Sequence, residues 1–150
     1  MRKIFFILIL LFLTGCATVE IPQYVQDQHP YKETFYSSFE DAVEGTSQAL
    51  EQFGWKIANH YDPGVFEQNK ENIGPEAKQI VLSTEVRQMP FFLGTRYARV
   101  NAHIYSLEHS STAVEIRYLT VTSVPFKSFN SYRNDRAAER ILKTIKEKLN

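Results

Sequence analysis

Apolar residues recur along the chain with two different periods, and the switches between them divide it into elements. From Phe39 onward, Phe39, Ala42, Val43, Thr46, Ala49, Leu50 and Phe53 fall at offsets 0, 3, 4, 7, 10, 11 and 14, one face of a helix. Ser38 with Asp41 three residues on is a capping-box-like start, and Gly54 is a left-handed stop. Gly45 lies off this stripe and weakens the helix by about 1 kcal/mol. Near the end of the chain, Ala138, Ile141, Leu142, Ile145 and Leu149 mark a second helix over about Tyr132 to Leu149. Lys143, Lys146 and Lys148 load its last turns favourably against the helix dipole.

Between the helices the period is two. Lys78 to Arg87, Arg96 to Ser106 and Ala113 to Thr122 alternate, and each turns its even positions inward. Keeping even residues opposite even ones requires an odd loop, so three or five residues are expected around His109 and Ser110. Trp55 to Tyr61 reads as a strand, Asp62-Pro63-Gly64 as a turn, and Val65 to Gln68 as a short strand. Thr34 to Tyr36 is a short first strand, Asn69 to Ala77 a polar loop, and Gln88 to Thr95 an interruption. The expected fold is an α+β two-layer sandwich, helix-grip-like, with four or five antiparallel strands and both helices on one sheet face.

The amino terminus carries an address. Met1-Arg2-Lys3 is a short basic stretch, Ile4 to Leu13 an apolar run, and Leu13-Thr14-Gly15-Cys16 follows. A ten-residue run with these flanks reads as a secretory signal, since a membrane span needs about 20 residues. The tetrad resembles the lipobox of bacterial lipoproteins. That resemblance implies cleavage before Cys16 and acylation of Cys16, and Ala17 in place of aspartate implies delivery to the outer membrane, on its periplasmic face. Residues 1–15 are then a signal peptide, 16–33 the lipidated cysteine with a tether, and 34–150 a single domain. At about 3.3 Å per residue the tether would reach roughly 50 Å.

Composition narrows the function classes. The chain has 17 basic and 17 acidic side chains, so a strongly basic nucleic-acid binder is excluded as a class. A single cysteine excludes a disulfide scaffold. No G-x-S-x-G elbow, H-E-x-x-H pair or phosphate-binding glycine loop occurs, so no catalytic, metal or cofactor residues are expected. His103 meets Glu115 across the hairpin in one register, a contact read as structural.

Two surfaces are candidates for binding. With even positions under the helices, Arg87, Tyr97, Arg99, Tyr105 and Arg117 gather on the odd face as an expected docking surface. Its plain alternative is a solvated face with weak cross-strand ion pairs. Charge is sorted along the chain, 12 acids against 4 bases in residues 17 to 85 and 11 bases against 5 acids in 86 to 150. The second surface is the pair of apolar loops, Met89 to Gly94 with Phe91 and Phe92, and Val124 to Phe129. They either project as a patch that needs a partner or a lipid headgroup region, or fold back to close the core.

The run from Ser37 to Gln68 joins an amphipathic helix, a Gly-Trp step into a strand and an Asp-Pro-Gly turn. It resembles the repeat unit of the BamC (NlpB/DapX) lipoproteins, which accompany the outer-membrane β-barrel assembly machinery. The resemblance implies helices packed on an antiparallel sheet, and it assigns no site residue. The functional expectation is a non-enzymatic lipoprotein, held to the membrane by its lipid and binding another envelope protein. The alternative is a small-ligand or lipid-binding module with its pocket between helices and sheet.

Overall fold

A computed structural model describes residues 19–66, 77–108 and 110–150. Its elements are β1 (Tyr31–Phe35), α1 (Phe39–Gln52), β2 (Ile57–Tyr61), a 3-10 turn (Pro63–Val65), β3 (Gln79–Thr84), β4 (Arg87–Phe91), β5 (Gly94–Ser106), β6 (Thr112–Val124), β7 (Lys127–Ser131) and α2 (Asp135–Leu149). The fold is α+β, an open antiparallel sheet carrying two helices.

The β5–β6 hairpin is the spine, paired from Thr95 and Ser123 to Ser106 and Thr112. Its connection is the odd, five-residue loop that the even-to-even register requires, closed by Leu107 N–H donating to the Ser111 carbonyl at 2.8 Å. The sheet order is β1-β6-β5-β3-β2, while β4 pairs with β5 and β7 with β6. Each flank of the spine therefore holds two strands end to end. One end of the sheet carries the helices, and the other continues as the four strands β4-β5-β6-β7.

Even positions form the core as expected. Leu82, Val100, Ala102, Ile104, Val114 and Ile116 from the sheet meet Ala42, Ala49 and Leu50 from α1 and Ala138, Ile141 and Ile145 from α2. Ser38 caps α1 by accepting from Asp41 N–H at 3.1 Å, and Gly54 ends it at φ +74°. Gly45 is buried rather than off the stripe: a Cβ there would lie 3.2 Å from Leu149 Cδ2. Its missing side chain lets the two helices approach.

Three expectations are corrected by tertiary structure. Among the described residues the sheet has seven strands, because β4 forms where an interruption was expected and β7 forms from the second apolar loop up to the expected last helix. With β7 occupying Lys127–Ser131, α2 begins later, at Asp135, with Asn134 as its cap. The turn expected at Asp62-Pro63-Gly64 is there, with the Asp62 side chain accepting from Gly64 N–H, but it continues as a 3-10 turn through Val65, where a strand was expected to start; residues 67 and 68 of that strand lie outside the described residues.

A one-residue irregularity between β3 and β4 decides where Arg87 points. β3 pairs with β5 in the register Ser83–Asn101, but β4 resumes as Arg87–Ala98, one residue out of step. The extra residue inverts the facing of everything after it. Arg87 was expected on the odd face and is turned to the helix side.

Candidate functional site

The odd sheet face is covered by the chain's own amino-terminal segment. Residues expected to form a free tether lie along it instead, and β1 already begins at Tyr31. Ser83 Oγ donates to the Gln23 carbonyl at 2.8 Å, and Arg99 Nη1 donates to the Pro22 carbonyl at 2.8 Å. Val25 N–H donates to Asn101 Oδ1, and Val25 is fully buried with Leu119 and Val121. Val19 and Ile21 pack against that same cluster. This segment acts as a strap.

The five residues assigned to the docking face divide accordingly. Arg117 is only 1 % exposed and Tyr105 is buried, so neither presents a surface. Glu115 joins them: it accepts from Tyr105 Oη at 2.9 Å and from Arg117 Nη2 at 3.0 Å, with His103 Nδ1 at 3.8 Å. Arg117 Nη1 also donates to the strap's Tyr24 hydroxyl. The His103–Glu115 contact across the hairpin is the one the register suggests. Tyr97 and Arg99 are half-buried, Arg99 being spent on the strap. Arg87 lies with its Cζ 3.7 Å from the Trp55 ring centre and donates to the Phe53 carbonyl at the end of α1. Burial pulls both the Arg87 and Arg99 guanidinium groups below the ordinary arginine value. Of the expected docking surface, Arg99, Tyr105 and Arg117 belong to a polar layer under the strap, Tyr97 stays half-buried, and Arg87 lies on the other face.

The apolar loops project. Phe91 and Gly94 pair across a two-residue turn made of Phe92 and Leu93, and Val124 and Lys127 pair across Pro125 and Phe126. Phe92 is 81 % exposed, Leu93 71 % and Phe126 84 %. The two turns sit side by side at the far end of the spine, because Gly94 and Ser123 lie back to back there. A Cβ on Gly94 would stand 2.0 Å from the Ser123 carbonyl oxygen and 3.1 Å from Val124 Cα. Backbone cannot yield as a side chain does. Gly94→Ala is expected to cost about 1–3 kcal/mol through overpacking, read as a lower urea midpoint. An unchanged midpoint would contradict this packing.

Both turns place a large apolar residue where glycine or asparagine is cheaper. Leu93 has φ +57° and Phe126 φ +69°, and a non-glycine residue in that region costs about 1–3 kcal/mol. Pro125 presets a turn whose next residue takes positive φ. Phe91 and Phe129 extend the patch onto the helix-side face, with Arg96 stacked over Phe91 at 4.5 Å and Lys127 over Phe129 at 4.8 Å. Both loops were expected from the sequence as candidate patches, with Phe91 and Phe92 foremost; the most exposed side chains are Phe92, Leu93 and Phe126.

Described residues also line two open grooves beside α1. One, of about 470 Å³, runs past Phe39, Val43, His60 and Ile80, and the other, of about 330 Å³, lies by Gly45 and Leu149. The space between helices and sheet is occupied by the packed side chains of the core. Cys16 and its tetrad lie outside the described residues, as does His109. Comparison of the chain with protein-family models and with curated proteins finds no match.

Proposed function

We propose that this protein is an outer-membrane lipoprotein, acylated at Cys16 and facing the periplasm, that works by contact rather than catalysis as an accessory to another envelope protein. The resemblance of Ser37 to Gln68 to the BamC lipoproteins suggests a partner linked to β-barrel assembly. The observation that carries the reading is the strap. Because the chain is already packed at Val19, only the few residues back to Cys16 separate the lipid from the domain. That shortens the expected reach of roughly 50 Å to about 10 Å. A domain held so close explores a thin layer at the bilayer, where its effective concentration toward a membrane-embedded partner is high and a modest interface suffices.

The test is crosslinking of the tagged, lipidated chain in intact envelopes followed by quantitative mass spectrometry. Specific enrichment of one envelope protein is expected, and it should disappear in a Cys16→Ser chain. Equal recovery from the lipidated and Cys16→Ser forms would overturn the anchored reading.

A further inference from the structure

We infer that the exposed aromatic end of the sheet inserts into the bilayer that holds the lipid anchor, giving the domain a second, orienting membrane contact. The inference rests on the anchored reading above and adds what covers Phe92, Leu93 and Phe126.

The first argument is the direction of the strap. Tyr24 bonds to Arg117; Gln23 meets Asn101, which pairs with Arg117 across the spine; Pro22 meets Arg99, which pairs with Leu119. Ile21 and Val19 then reach the Leu119–Val121 cluster. From Tyr24 through Gln23 to Pro22 the polar contacts move from the level of Arg117 to that of Arg99 and Leu119, toward the apolar turns. From Val121 to the start of the turn at Val124 is about 10 Å of strand. The three residues from Val19 back to Cys16 can span at most about 10 Å. The anchor and the aromatic end therefore fall at the same pole, and a bilayer reached by one lies within reach of the other.

Charge gives an independent argument. No Asp or Glu occurs in residues 86–106 or 116–134, which contain the far strands of the sheet, whereas Arg96 and Lys127 stand beside the turns; the strap brings one exposed carboxylate, Glu20, toward this end. Arg96 and Lys127 flank the apolar turns, set to meet anionic headgroups while the rings go deeper. The turn chemistry points the same way. At Leu93 and Phe126 the chain accepts a strained backbone to present bulky side chains to solvent, a choice that packing within this domain does not reward.

The experiment places a reporter at the turn: the full lipidated chain with Phe92→Trp, in vesicles of phosphatidylethanolamine and phosphatidylglycerol. The native Trp55 is buried and serves as the internal control. Emission from the indole introduced at position 92 should shift to the blue and be lost to brominated acyl chains, while the parent chain, which keeps Phe92, shows no such loss. Adding Leu93→Asp and Phe126→Asp should remove both effects yet leave flotation intact. Aspartate tolerates positive φ better than leucine or phenylalanine, so these variants should fold, as circular dichroism can verify. Flotation with an unquenched reporter would overturn the insertion. Failure of the parent chain to float would overturn the anchored reading, and the insertion with it.

Discussion

A Glu115→Leu chain is expected to lose about 3–5 kcal/mol of folding stability, the range for removing one partner of a buried ion pair. Glu115 sits in the middle of β6, buried, with one oxygen accepting from Tyr105 and the other from Arg117. The salt bridge is itself weak evidence of stabilisation, since taking both charges out of water costs nearly what their attraction returns. The loss comes from what remains. Arg117, buried and also bonded to Tyr24 of the strap, would keep its charge and lose the Glu115 carboxylate. Against a typical total of about 5–15 kcal/mol, such a change is a large fraction of the fold. The double variant Glu115→Leu with Arg117→Met removes both charges and should recover much of the loss. Urea midpoints of the two single variants and the double give the coupling directly. A neutral Glu115→Leu would mean that this layer is effectively solvated.

The same layer shows what the chain's own pattern conceals. Leu82, Val100, Ala102, Ile104, Val114 and Ile116 are apolar and buried, so period-two reading recovers the core and an odd loop between β5 and β6, whose length of five settles the register. Odd positions carry His103, Tyr105, Glu115 and Arg117, and an alternation that marks polar residues cannot distinguish water from a buried polar network. The strap that covers them has no periodicity to detect. Its order comes from side chains far away in sequence, such as Asn101 and Arg99, bonding to its backbone. β7 is exposed along its whole length, so it has no buried face to alternate with. β4 holds Pro90, which argues against a central strand but is tolerated at an edge. The one-residue irregularity at Glu85 and Val86 is invisible to hydropathy, yet it sends Arg87 to the opposite face. The aromatic turns were legible as apolar loops; their joint exposure required knowing that two additional strands extend the spine.

Val25→Asp separates a strap from a free tether. A free tether would tolerate it with no change in stability. Val25 is fully buried against Leu119 and Val121, and its N–H is held by Asn101. A carboxylate placed there would lose most of its hydration, a penalty of several kcal/mol that protonating the group or lifting the segment away relieves. The measured cost is therefore capped by the free energy with which the strap docks, and about 3 kcal/mol is expected at most sites of this kind. Two measurements on one chain report it. The urea midpoint falls, and amide hydrogen exchange in residues 19–27 rises toward unprotected rates while the β5–β6 amides stay slow. Release has a further consequence for the membrane-facing end. Without the strap, the span from Cys16 to Tyr31 becomes flexible chain of roughly 50 Å reach, and the aromatic turns are no longer held at the pole where the lipid enters the bilayer. In a Phe92→Trp background, Val25→Asp should therefore weaken quenching by brominated lipids although neither turn has been altered. Undiminished quenching with a released strap would mean that the turns find the bilayer by their own affinity, and that the strap serves stability alone.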